Sequence, residues 1–280
     1  MESKMSKETI ELLERIDEFE KNGMFDVDVN IDPPAPQLLP EDVDYLCQKR
    51  KNKIKRFFAN IIADKYFKRL IKKDKLIIDG VMGEELLAEA LKDGAVITCN
   101  HFSPFDNYIV FHAIRKYLPK KYLYKVIREG NYTNFPGLYG FFFKHCNTLP
   151  LSSNRHTMGM FLKATNQLLN EGNSILIYPE QAMWWNYKKP RPFKIGGFKI
   201  AAKANKPILP LFISMSDDKK LDDGGYPVQR HILHVMPPIY PDNTIDINLR
   251  AQKMLEKAYE ECKNKYEEVY GTKLEYGKEE

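Results

Sequence analysis

His101 and Asp106 are the residues of this sequence whose types and spacing best suit proton-transfer chemistry. They lie in "VITCNHFSPFD", residues 96–106. An imidazole titrates near neutrality and can take a proton from an alcohol or water. A carboxylate bonded to one ring nitrogen would fix the tautomer and stabilise the charged form. On one continuous helix, five residues would set the two side chains ~140° apart. They can meet only if the chain turns between them.

The surrounding elements supply that turn. Val96-Ile97-Thr98 reads as a strand, and Pro104 suits the first position of a following helix. Ser103 is then the expected N-cap and Asp106 the third helical residue, an acidic capping box. The helix start would favour neutral imidazole and the carboxylate would favour imidazolium, so their balance can leave a base active near neutral pH. Ser103 as a nucleophile conflicts with its capping role.

Further strands are expected at Leu76–Ile78, Ala95–Thr98, Leu123–Ile127, Thr148–Leu151, Ser174–Tyr178, Ile208–Ile213 and His231–Met236. Helices are expected at Glu84–Leu91, Pro104–Leu118, Thr157–Leu169 and Lys199–Ala204, with a charged closing helix over residues 246–270. This alternation predicts an α/β fold, a mostly parallel central sheet flanked by helices. Ligands bind beyond the carboxyl ends of such strands.

The chain preceding that domain differs in character. Residues 1–22 read as a polar helix with Ile10, Leu13, Ile16 and Phe19 on one side, and 30–44 as a Pro-rich linker. Residues 49–75 hold twelve Lys or Arg against two Asp, a net charge of +10 beside +5 for the whole protein. Ile54, Phe57, Phe58, Ile61 and Ile62 fall on one helical face. The sequence thus divides into an N-terminal amphipathic helical arm (1–75), a catalytic domain (76–245) and a C-terminal helix with a charged tail (246–280).

The basic helix suits an anionic lipid surface, with Lys53, Lys55 and Arg56 at the headgroups and Phe57, Phe58 and Ile61 below them. The alternative is a helix packed on the domain with a solvated basic face. No recognition motif supports nucleic acid. No apolar run approaches the ~20 residues of a membrane span, and the charged start lacks the apolar stretch of a signal peptide. Four scattered cysteines, Cys47, Cys99, Cys146 and Cys262, point to neither disulfides nor zinc and to a reduced compartment. His231 and His234 fall on opposite faces of a strand, which argues against a metal.

"NHFSPFD" resembles the N-H-x-x-x-x-D motif of the glycerolipid acyltransferases, the 1-acyl-glycerol-3-phosphate acyltransferase family. Blocks resembling the family's others follow in order: "LPLSSNR" (149–155), "ILIYPEQA" (175–182) and "PFKIGGFKIAAKANKPILPLFI" (192–213). The resemblance covers roughly residues 76–240. It implies acyl transfer from acyl-CoA, acyl carrier protein or acyl phosphate to a lysophospholipid hydroxyl, 1-acyl-glycerol-3-phosphate first among acceptors. His101 would be the base and Asp106 its orienting carboxylate, with no cofactor and no metal. It further implies a peripheral protein on the cytoplasmic face of the membrane, serving phospholipid biosynthesis.

Arg155 would bind acceptor phosphate, the alternative being an ordinary surface arginine. Glu180 would accept from a glycerol hydroxyl or order nearby loops. Gln181-Ala182 replaces the family's usual Gly-Thr, and the Arg that often follows is missing, so Lys188, Lys189 and Arg191 are candidates for the lost phosphate contact. Trp184 and Trp185 would form a lid at the lipid rim, or one of them a core residue. The rival expectations are a lipid-binding protein of the same fold without catalysis and a lipid hydrolase using the same histidine.

Overall fold

Short apolar runs, buried on both sides, become the strands of one sheet. The computed structural model describes residues 5–30, 34–118 and 120–277. Its strands are β1 (Ile77–Met82), β2 (Val96–Thr98), β3 (Leu123–Ile127), β4 (Thr148–Pro150), β5 (Ser174–Ile177), β6 (Ile208–Leu221) and β7 (Pro227–Val235). They form a seven-stranded sheet in the order β1-β7-β6-β2-β5-β3-β4. Every neighbouring pair is parallel except β6 with β7. The α/β class and the mostly parallel sheet are as expected.

The helices are α1 (Lys7–Lys21), α2 (Arg50–Lys72), α3 (Leu87–Ala90), α4 (Asp106–Ile114), α5 (Glu129–Thr133), α6 (Gly137–His145), α7 (Arg155–Asn170), α8 (Gly196–Ala204) and α9 (Ile247–Tyr270). One face of the sheet packs against α3, α4 and the C-terminal half of α2, through Phe67, Leu70 and Ile71. The other packs against α7, α8 and α9. Ile97 and Val96 of β2 point into these two cores respectively.

Three departures from the sequence reading have physical causes. β6 runs to Leu221 because backbone pairing with β7 carries it on. Between Met215 and Leu221 its residues are polar and largely exposed, and show no apolar alternation. α5 and α6 went unseen because "GLYGFFFKH" is aromatic and glycine-punctuated rather than periodic. Gly140 is required there: a Cβ would sit 1.9 Å from the Phe135 carbonyl oxygen. Finally, α4 begins at Asp106, not Pro104, and its N-cap position is Phe105. Pro104 and Phe105 form the turn itself. The Ser103 hydroxyl accepts from the Phe105 amide at 3.1 Å inside that turn instead of capping the helix.

Residues 5–30 and 34–75 pack on the domain rather than projecting as an arm. α1 packs on the loop carrying Ala182 and Trp184. Residues 34–45 lie along the sheet edge, where the Tyr45 hydroxyl donates to the Pro150 carbonyl at 2.8 Å. α2 packs on α6 through Ala59, Phe142 and Cys146. No helix among the described residues is long and apolar enough to cross a membrane. All four cysteines are buried and unpaired.

Candidate active site

β2 and β5 are neighbours and end level with each other, Thr98 opposite Ile177. Whatever follows the two strands must therefore meet at the sheet's carboxyl edge. After β2, Asn100 anchors the chain to β6: its side chain accepts from the Ile213 amide (2.8 Å) and donates to the Ile213 carbonyl (3.0 Å). His101 comes next, and the turn folds Asp106 back beneath it. His101 Nδ1 and Asp106 Oδ2 are 2.7 Å apart.

Asp106 is fully buried, yet its carboxylate is well supplied with donors. The Asn107 amide donates at 2.7 Å, and the Phe102 and Ser103 amides at 3.3 and 3.4 Å. The Tyr178 hydroxyl donates to Oδ1 at 3.0 Å. Charge-assisted bonds of this kind make a buried carboxylate tolerable and fix its orientation. Tyr178 also stacks on the imidazole, with ring centroids 4.0 Å and planes 14° apart. Burial, followed by the Asp106 charge, pushes its phenol well above the ordinary value, so it stays a donor. His101 remains 19% exposed, and no partner occupies Nε2 among the described residues. The arrangement is an oriented imidazole with one nitrogen open to solvent or substrate.

Glu180 and Arg191 form a buried ion pair, Nη2 to Oε2 at 2.8 Å, with side chains 2% and 1% exposed. Both also hold the His101 backbone. Glu180 Oε2 accepts from the His101 amide (3.1 Å), and Arg191 Nη2 donates to the His101 carbonyl (3.3 Å). Arg191 further donates to the Ala182 and Phe25 carbonyls and lies 4.8 Å from the Trp184 ring. Its guanidinium is thus committed inside the protein rather than turned to an acceptor phosphate, and Glu180 orders the loop. Lys189 is placed elsewhere too: it pairs with Glu20 of α1 at 3.0 Å. Trp184 is wholly buried and its indole donates to the Val27 carbonyl at 2.9 Å. It anchors the N-terminal segment and is no lipid-rim lid.

Arg155 opens α7 after Asn154, whose side chain caps the helix by accepting from the His156 and Thr157 amides. It is exposed and follows β4, at the same end of the sheet. β4, which leads to it, is three strands from β2, about 14 Å at the usual strand spacing, so Arg155 stands apart from the dyad. His231 Nδ1 meets the Ile77 carbonyl and His234 Nε2 the Ser214 hydroxyl. No group of three metal-ligating side chains occurs among the described residues.

An apolar cleft of about 110 Å³ opens beside the turn, reached by Pro104 and Asn107 and walled by Phe67, Tyr108, Phe142 and Phe143. The sequence reading missed Tyr178, the cleft and its one lysine, Lys125, whose pKa burial lowers. Tyr178 alone left a signal, as the last residue of an expected strand.

On α2, Ile54, Phe57, Phe58, Ile61 and Ile62 are between 38% and 62% exposed. Lys53 and Lys55 are exposed as well. Arg56 is not with them: it turns inward, 4.6 Å from the Tyr122 ring centre and bonded to the Tyr124 hydroxyl.

Residues 80–214 match the family model for acyltransferases. The crystal structure of the 1-acyl-sn-glycerophosphate (LPA) acyltransferase PlsC from Thermotoga maritima is similar to the chain, with a TM-score of 0.52 at 18% identity. The match covers 82% of this chain and 87% of that one. The likeness is one of fold. No curated protein matches the sequence.

Proposed function

The chain carries an acyltransferase-family domain over residues 80–214, and from that premise we propose that it moves a fatty acyl group from an activated donor to the hydroxyl of a lysophospholipid at a membrane surface. The observation that carries this reading is the 2.7 Å contact of His101 with a buried Asp106 at the carboxyl end of β2.

In the proposed reaction His101 Nε2 takes the proton of the acceptor hydroxyl as its oxygen attacks the acyl carbonyl carbon. Asp106 stabilises the imidazolium so formed. The tetrahedral intermediate collapses by breaking the bond to sulfur, or to phosphate oxygen for an acyl phosphate. The imidazolium then returns its proton to the leaving group. The donor is already activated, so no acyl-enzyme is required. The apolar cleft at Pro104 and Asn107 has the character of a site for the acyl chain.

The preferred acceptor is 1-acyl-glycerol-3-phosphate, with Arg155 at the α7 N-terminus as the phosphate contact. Arg155→Ala should raise the KM for this acceptor severalfold while sparing kcat; an unchanged KM would remove Arg155 from the site. The exposed apolar face of α2 supports peripheral docking on the cytoplasmic leaflet. Phe57→Ser with Phe58→Ser should abolish flotation with anionic vesicles, because each buried Phe contributes about 2 kcal/mol. Purified protein supplied with lysophosphatidate and labelled acyl donor should yield diacylglycerol phosphate. Fatty acid release without acceptor would instead mark a hydrolase, and no turnover with any lysolipid a binding protein.

A further inference from the structure

β3 reads Leu123-Tyr124-Lys125-Val126-Ile127, and alternate residues of a strand share a face. Leu123 and Ile127 are buried, so Lys125 between them holds an apolar position. Its level neighbours, Leu176 of β5 and beyond it Ile97 of β2, are wholly buried in the core under α4. A lysine at such a place is rare unless it is paired. Among the described residues the Lys125 ammonium has no hydrogen-bond or ion-pair partner. It lines the apolar cleft of about 110 Å³ that opens at Pro104 and Asn107. Lys125 itself is partly exposed, as a residue lining an open cleft must be.

The other polar groups of the cleft are engaged elsewhere. Asp64, its one carboxylate, is held by Lys68, Arg115 and the Tyr108 hydroxyl. Asn60 donates to the Arg56 carbonyl, Tyr139 meets the Tyr66 hydroxyl, and Thr148 donates to the Phe143 carbonyl. The Cys146 thiol, pushed up to about 11 by burial, stays neutral. A partner for Lys125 must therefore come with whatever enters the cleft.

Pro104 belongs to the turn that joins His101 to Asp106, so an acyl group whose carbonyl sits at His101 has the cleft beside it. β3 is two strands from β2, about 10 Å across the sheet. Lys125 is level with Ile97, below the turn, and so meets the far part of the chain rather than its carbonyl. A plain hydrocarbon there strips water from the amine and returns no hydrogen bond. An oxygen on the chain returns one, strengthened by charge. Burial lowers the Lys125 pKa, and a hydroxyl suits both protonation states: it accepts from the ammonium and donates to the neutral amine. A carboxylate suits only the first. We propose that Lys125 selects acyl donors whose chain carries a hydroxyl on its distal part over plain saturated chains. The proposal rests on the acyltransferase reading of the same site.

The test compares kcat/KM for acyl-CoA donors in matched pairs of increasing length, plain and with a terminal hydroxyl, on lysophosphatidate as the one acceptor. The wild-type chain should prefer the hydroxylated donor by about tenfold at the length that reaches Lys125. Lys125→Met keeps most of the side chain's length without its charge. It should erase that preference and use plain chains better than wild type does. Lys144→Met removes the same charge from an exposed position on α6 and should leave the preference unchanged. Equal use of both members of every pair by the wild-type chain would overturn the proposal, whether or not the variant folds. So would a preference that survives in Lys125→Met. Absence of transfer from every donor would instead end the acyltransferase reading. Calorimetric titration with the matched methyl esters, plain and hydroxylated, then reads the cleft by itself: tighter binding of the hydroxylated ester supports the selection, and equal affinity overturns it.

Discussion

Tyr178 lies flat against His101, ring centres 4.0 Å apart, and reaches past it to donate its hydroxyl to Asp106. One residue thereby limits the tilt of the imidazole and orients the carboxylate that holds it. Tyr178→Phe keeps the stack and deletes the donor. A hydrogen bond to a charged group is worth about 1.5–3 kcal/mol, so kcat should fall about tenfold or more, with KM little changed. Steady-state kinetics decide it; a variant as fast as wild type would show that the tyrosine only packs.

The Glu180–Arg191 pair grips both polar groups of the His101 peptide from inside the protein. Glu180→Gln would leave a guanidinium buried without its counter-charge. Removing one partner of such a pair costs about 3 kcal/mol or more. Urea unfolding should show that loss, with activity falling at temperatures where the variant is still folded. A cost below about 1 kcal/mol would mean that Arg191 finds its stabilisation elsewhere.

The contrast between these groups shows what the sequence could reveal. His101 and Asp106 are five residues apart, joined by a strand–turn–helix whose signals are local, so their pairing was legible. Tyr178 reaches Asp106 only because β5 lies beside β2, a neighbour relation fixed by the whole sheet. Arg191 and Lys189 read as candidates for the missing phosphate contact because their partners, Phe25 just beyond α1 and Glu20 within it, lie more than 160 residues earlier. For the same reason the sequence left Trp184 open between a lipid rim and the core, and its burial decides for the core. The parallel sheet was legible from apolar runs between helices, whereas α6 gave no periodicity and the end of β6 no apolar alternation.

Gln181 sits at φ +67°, in the left-handed region, and is exposed. It stands where the resembling family usually has glycine. A side chain there is strained, while glycine relieves the strain at some cost in unfolded-chain entropy. Gln181→Gly should therefore gain about 0.5–1 kcal/mol, raising the melting temperature by about 2 °C. A lowered melting temperature would indicate that the glutamine side chain makes a stabilising contact after all.

In the proposed reaction His101, held by Asp106, is the general base of acyl transfer. The most direct measurement is the single-turnover rate of acyl transfer by His101→Ala, with folding checked by thermal melting beside the wild-type protein. General-base catalysis contributes about 10²–10⁴-fold. The expected result is a loss of at least 10²-fold with the melting transition intact. A folded variant that transfers acyl groups within tenfold of the wild-type rate would contradict it.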